Sequence, residues 1–284
     1  MTVTETTIGN ILTRTTGYLR TVASHSLQPY RGCSYGNALC GVGCYVQHSR
    51  HILQGRPWGS FLEVRTNAAD SYREHVDRER LWAARRGERF TIFCSSATDP
   101  FVPQEPRYGI TAALLHAMCD HPPDRLILQT HSHLVATAAD LLARLSSMCD
   151  VRVHVSIETD REHIPGLPPH ASPIARRFDA CRALKDRGLF TVVTVAPLLP
   201  IAEPDAFFQR ISECADAVVL DHYIGGDGSP DGRRTEQTPL PAAMRAIDAA
   251  SLTLEYRDRM ADIVRRVLPG RVGLGADGFA GRYS

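Results

Sequence analysis

From residue 91 onward the chain alternates short β-rich runs with helical stretches, and this rhythm restricts its fold more than any other feature. The strand candidates are TIFCSS (91–96), RLILQT (125–130), VRVHVSI (151–157), FTVVTVA (190–196) and AVVLDHY (217–223). Between them lie GITAALLHAMC, VATAADLLARLSSM, SPIARRFDACRALKDRG and DAFFQRISECA, each of helical length. The third offers Ser172 as an N-cap, Pro173 at the first helical position and Gly188 as its stop. Strands alternating with helices in this way form βαβ units, whose strands pair in parallel.

The strand 151–157 selects among parallel architectures. Val151, Val153, Val155 and Ile157 share one face, while Arg152, His154, Ser156 and Glu158 share the other. A sheet covered by helices on both faces reads as nearly continuous apolar runs. A face carrying Arg, His, Ser and Glu instead needs a polar or ligand-filled space. Cys94, Ser96 and Thr98 repeat this pattern, as do Gln129 and His131. The expected fold is therefore α/β, an incomplete (β/α) barrel with helices outside and chemistry at the carboxyl ends of its strands.

The 284 residues are read as a single domain, with a cysteine loop at about 29–48, a barrel core at about 60–225 and a C-terminal helical extension at about 236–284. The N-terminus MTVTETTIGN has no basic region followed by an apolar core, and the longest apolar stretch, FTVVTVAPLLPIA, is too short to span a bilayer. The expectation is a cytoplasmic protein without membrane association, in which thiols stay reduced. With 32 basic against 31 acidic residues, the chain has no overall charge suited to wholesale nucleic-acid binding.

The stretch PYRGCSYGNALCGVGCYVQ places Cys33, Cys40 and Cys44 in one loop. A structural zinc takes four protein ligands, and no fourth cysteine lies near; zinc completed by His25 or His48 remains one reading. An iron–sulfur cluster held by three cysteines is the other, and it leaves one iron open for a small molecule. Glycines 32, 36, 41 and 43 would let the backbone wrap tightly around either. Cys119, Cys149, Cys181 and Cys214 are widely separated, in or beside predicted helices, and are read as core residues.

The chain resembles the radical S-adenosylmethionine enzymes, and within them the spore photoproduct lyase-like branch. The resemblance runs in order through SLQPYRGC…GCYVQ, SSATDPFVPQEPRYGIT, THSHLVATAADLL, VHVSIETD…HASPIARRFDACRALKDRGL…VAPLLP and VGLGADGFAGRY, covering about residues 10–283. It implies a (β/α)6 TIM-like barrel of the radical S-adenosylmethionine type. It also implies a [4Fe–4S] cluster on Cys33, Cys40 and Cys44 whose open iron binds S-adenosylmethionine. Reductive cleavage then gives a 5′-deoxyadenosyl radical that abstracts hydrogen from a small-molecule or nucleotide-like substrate, with an electron donor of flavodoxin or ferredoxin type as partner. Tyr45, Thr98 and Ser156 match cofactor-contacting positions of the family, and Glu158 is assigned as an acceptor for the same cofactor. Asp99 is read as a turn residue, because Asp-Pro commonly opens a loop.

The sequence departs from the branch in three places. Its cysteine spacing is C-x6-C-x3-C instead of C-x3-C-x2-C, an insertion that loop entropy tolerates. Ser96 stands where the lyase carries a hydrogen-returning cysteine, with Cys94 two residues earlier as a substitute. His131 stands where the branch has a lysine. Cys94, Ser96, His131 and Tyr223 are the candidate catalytic residues. The segment DHYIGGDGSPDGRRT (221–235) is a candidate substrate loop, with Asp221, His222, Arg233 and Arg234 as its contacts. His163 and His170 are expected at the surface. The competing functions are a nucleic-acid repair or modification enzyme and a non-catalytic zinc- or cluster-binding protein.

Overall fold

The structure is a computed structural model and describes residues 1–284. Its strands are β1 (Thr2–Thr6), β2 (Leu12–Arg14), β3 (His25–Leu27), β4 (Tyr30–Gly32), β5 (Phe61–Arg65), β6 (Thr91–Cys94), β7 (Arg125–Thr130), β8 (Asp150–Ser156), β9 (Phe190–Val195), β10 (Ala217–Leu220) and β11 (Val272–Leu274). A three-stranded sheet has the order β1-β5-β4, and the main sheet has the order β11-β10-β9-β8-β7-β6-β3-β2. Within the main sheet every pair is parallel except β2 with β3. The architecture is thus α/β with a mostly parallel eight-stranded sheet. It carries seven parallel strands where six were expected, and its two edge strands do not pair with each other.

All five strands anticipated from the alternation are present, within a few residues at their ends. Two parallel strands of the main sheet were not anticipated. Strand β3 lies before the expected barrel core, and β11 lies in the tail read as helical. Both are three residues long, too short for a period-two pattern to register. They sit in the sheet because their neighbours β6 and β10 supply the hydrogen-bond partners.

The sheet divides the interior. Val151, Val153, Val155 and Ile157 pack with Leu126, Leu128, Val193, Val195, Val218 and Leu220 against the helices, in a core of 56 buried residues. The opposite face carries a smaller apolar cluster that includes Phe93, Ile127, Val192, Val219 and Phe279. Above it the strands end in polar side chains.

The helix Ile174–Lys185 crosses from β8 to β9 and is followed by Gly188 at φ +72°, where a left-handed residue turns the chain back into the sheet. Its start differs from expectation. Pro173 occupies the N-cap, and the Ser172 hydroxyl accepts instead from the backbone N–H of His133 at 3.2 Å. Tertiary contact with the preceding crossover has taken the hydroxyl that would have capped the helix. No helix of the structure is long and apolar enough to cross a membrane.

Candidate active site

The cysteine loop gets its shape from close backbone contacts. A methyl group on Gly41 would lie 2.1 Å from the carbonyl oxygen of Gly36, and one on Gly36 would lie 2.5 Å from Cα of Gly59. Only glycine permits these approaches, so the loop folds on itself and on the turn before β5. A chain of turns then places Cys40 in the short helix Leu39–Val42 and Cys44 at the start of the 3-10 turn Tyr45–His48. The hydroxyl of Thr98 donates to the carbonyl of Gly32 at 2.7 Å and ties this loop to the end of β6.

Cys33, Cys40 and Cys44 line one wall of a cavity of about 460 Å³ at the carboxyl ends of the parallel strands. None is in a disulfide. Burial pushes the Cys33 thiol up to about 12 and the Cys44 thiol up to about 11, and drives the Cys40 thiol well above its ordinary range. Three neutral thiols along one wall, Cys33 buried and Cys40 and Cys44 half-buried, are a donor set that a cation must deprotonate in order to bind.

No three His, Cys, Asp or Glu side chains converge tightly enough to hold a single metal ion. His25 and His48 do not complete such a site. The ring of His25 is fully buried between Trp82 and Phe90 and meets Glu79 at 3.3 Å, while His48 is exposed outside the cavity. The donor set therefore suits a polynuclear group carried on three thiolates better than a four-ligand zinc ion.

Strand β6 corrects one expectation. Cys94 pairs in register with Leu128, and both face the helices; Cys94 lies in the main core and does not reach the cavity. Phe93 is the β6 residue on the cavity face. The period-two alternation ends at Cys94, and residues 95–99 turn across the mouth, so Ser95, Ser96, Thr98 and Asp99 all line the cavity. Ser96 accepts from the side-chain amide of Gln28 at 2.9 Å, and its carbonyl accepts from the Tyr45 hydroxyl. Asp99 is more than a turn residue. It accepts from the N–H of Phe101 at 2.8 Å, the hydroxyl of Thr130 at 2.7 Å and the N–H of His131 at 2.6 Å, which locks the ends of β6 and β7 together.

Ser156 and Glu158 lie behind the cavity wall and do not line it. The amide of Gln129, which does line it, donates to Ser156 at 2.6 Å and to Thr194 at 3.0 Å; its carbonyl oxygen is buried without a partner. Glu158 accepts from Arg177 at 2.8 Å and meets Nδ1 of His131 at 2.7 Å. Burial alone would raise the Glu158 carboxyl, but the guanidinium of Arg177 and the hydrogen bond from His131 hold it well below the usual carboxylate range. An ionised Glu158 can only accept, so the hydrogen of His131 sits on Nδ1, and Nε2 has no partner in the chain. His170 belongs to this network, contrary to its expected surface position. Its imidazole is 5% exposed and takes a hydrogen bond from Arg177 at 3.0 Å.

The segment 221–235 forms the opposite wall. Asp221, His222, Tyr223, Arg234 and Thr235 line the cavity, whereas Arg233 points to solvent and is not part of it. His222 spends both ring nitrogens locally, on the carbonyl of Ser251 at 3.0 Å and the N–H of Ile224 at 3.1 Å. The Tyr223 hydroxyl donates to Glu236 at 2.9 Å, leaving its ring toward the cavity. Asp227 folds the loop by accepting from Ser229 and from the N–H of Thr235, each at 2.8 Å from a backbone nitrogen.

Sequence reasoning missed Tyr18, Phe93, Trp58 and Phe279 among the lining residues. Phe93 was one residue out of phase. Tyr18 and Phe279 come from the chain ends, and no local pattern marks them.

No family model matches the chain. A curated relative, the uncharacterized protein ORF301 of Acidianus two-tailed virus, is 29% identical over 167 residues, which is 55% of this chain. The match spans 51% of that protein, so the chain covers about half the length of the curated relative. Solved structures of spore photoproduct lyase are similar over 96% of this chain and 81% of theirs. A double mutant with bound AdoMet and dinucleoside spore photoproduct has a TM-score of 0.64 at 16% identity. A single mutant with dinucleoside spore photoproduct has a TM-score of 0.65 at 16% identity, and the lyase complexed with that dinucleoside has 0.62 at 15%. Over nearly its whole length, then, this chain has the fold of spore photoproduct lyase.

Proposed function

We propose that the chain is a radical S-adenosylmethionine enzyme acting on a small-molecule or nucleotide-like substrate. The observation that carries this reading is the convergence of Cys33, Cys40 and Cys44, alone among eight cysteines, on one cavity wall at the carboxyl ends of the parallel strands. The three thiols would hold a [4Fe–4S] cluster, and the sheet would curve around it as an incomplete barrel of the family's type. When bound, the cluster and S-adenosylmethionine supply a one-electron cleavage and a primary carbon radical that abstracts hydrogen from substrate.

The chain's own residues do the rest. Tyr45 and Thr98 border the cofactor space beside the cysteines, and the unpartnered carbonyl of Gln129 offers an acceptor there. Ser156 acts through Gln129, and Glu158 acts through His131 by fixing its tautomer and leaving Nε2 toward the cavity. Tyr35 and Trp58 give the space apolar walls that exclude water, which a radical intermediate requires. An electron donor of flavodoxin or ferredoxin type is the partner this chemistry needs.

The lyase's own repair reaction is a weaker reading. By the resemblance Ser96 stands where the branch carries its hydrogen-returning cysteine, and Cys94 is sealed in the core, with burial pushing its thiol far up.

The test is anaerobic reconstitution with iron and sulfide, followed by reductant and S-adenosylmethionine. The expected result is [4Fe–4S] stoichiometry and formation of methionine and 5′-deoxyadenosine. A loaded protein that forms neither product would overturn the enzymatic reading, and a protein that binds zinc but no iron would overturn the cluster.

A further inference from the structure

The carboxylates lining the cavity differ in one respect. Asp99 and Asp227 have their oxygens engaged by donors from their own surroundings. Asp221 has no cationic partner. Arg257 is the cation whose charge it feels most, and that guanidinium is paired with Asp258 at 2.7 Å. Only the Tyr18 hydroxyl approaches the Asp221 side chain.

The placement of Asp221 is nevertheless rigid. Its N–H donates to Val195 at 3.1 Å, and its carbonyl accepts from Leu198 at 2.8 Å, which pins it at the end of β10. Two glycines keep its oxygens uncovered: a methyl on Gly226 would lie 2.7 Å from Oδ2, and one on Gly275 would lie 3.6 Å from Oδ1. Tyr18 stands beside it, and the same cavity is lined by the rings of Phe93 and Phe279, edge-to-face with centroids 6.3 Å apart. Burial without a counter-ion raises the Asp221 carboxyl to about 7. A desolvated carboxylate among aromatic faces is costly unless a ligand brings the missing donors.

We infer that Asp221 is a specificity-determining residue, and that the substrate presents it with paired N–H donors on a planar group, a guanine-type edge or a guanidinium. A carboxylate's two oxygens match two parallel N–H groups, and aromatic walls favour a flat partner that can stack against them. This inference rests on the radical-enzyme reading of the cavity and adds the chemistry of its substrate.

The experiment titrates the anaerobic, iron-loaded protein, with and without S-adenosylmethionine, against guanosine, methylguanidinium and thymidine. Thymidine is the control because its one N–H is flanked by two acceptors. Guanosine or methylguanidinium should bind at least about tenfold tighter than thymidine, and whichever binds identifies the source of the paired donors. Asp221→Asn, which swaps an acceptor for a donor at constant shape, should remove about 10- to 100-fold of that affinity. Gly226→Ala, which leaves the charge but covers the carboxylate, should also weaken binding. Equal binding of all three probes, binding of none, or unchanged affinity in Asp221→Asn would overturn the inference. Iron content and cofactor cleavage by the wild-type protein are measured in the same preparation. Their absence counts against the radical reading, whereas lost discrimination with cleavage intact counts against Asp221 alone.

Discussion

The two walls of the cavity are built in different ways. The cysteine wall is made mostly by two short segments: residues 33–45 and 95–99 supply most of it, and glycine-to-glycine contacts such as Gly41 on Gly36 set its shape. The opposite wall gathers Tyr18, Phe93, Asp221, Arg234 and Phe279 from points spread over the whole chain. On the first wall most polar groups are committed to one another, as with Thr98 on Gly32 and Asp99 on Thr130 and His131, the carbonyl of Gln129 being the exception. On the second, Asp221 is left without a charge partner. On the proposed reading the first wall would hold a fixed inorganic group and is preorganised locally, while the second would recognise a ligand and carries its unmet demand outward.

The sharpest break of this comparison is at the cysteines. Cys33→Ala, Cys40→Ala or Cys44→Ala should each remove cluster iron and abolish S-adenosylmethionine cleavage, read by iron analysis and product chromatography. Cys94→Ala should keep both, because its sulfur faces the helices.

Next comes the support beneath the cysteine wall. Glu158→Gln leaves the fully buried Arg177 without its counter-charge, so unfolding free energy should fall by about 3 kcal/mol, or about 10 °C in Tm. The sign with pH follows from the lowered Glu158 value. Its stabilisation is complete above the ordinary glutamate range and is lost as pH falls through the folded-state value, so the variant's deficit should shrink in acid.

The opposite wall should respond in the reverse sense. Asp221 is raised from 3.8 to about 7, so its effect on stability is most favourable below pH 3.8 and is lost as pH rises through 7. Asp221→Asn should therefore stabilise the protein at pH 8 by about 2–4 kcal/mol and make little difference at pH 4, as measured by thermal unfolding. A stabilising change at one wall and a destabilising change at the other would separate recognition from scaffold.

Smaller effects should follow at two positions whose placement departs from the sequence reading. Cys94→Ala should cost about 1–2 kcal/mol through the cavity it leaves in the core. Arg233→Ala, at an exposed side chain outside the cavity, should change stability by less than about 0.5 kcal/mol.

The sequence alone determined the parallel α/β architecture, because strand and helix periods are local and residues 91–223 carry them strongly. It also determined the three-cysteine loop and the polar face of β8, where Arg152, His154 and Ser156 do oppose the valines of the core. Tertiary structure decided where local periodicity stops. The chain turns after Cys94, which put Phe93 in the cavity and Cys94 in the core. It decided that Glu158 and His170 face Arg177 and not the cavity, since a buried guanidinium must find its acceptors wherever the fold allows. It decided, too, that Arg234 reaches the cavity while its neighbour Arg233 does not. Only the folded chain brings Tyr18, Asp221 and Phe279 together, because contacts between residues so far apart in sequence leave no periodic trace in it.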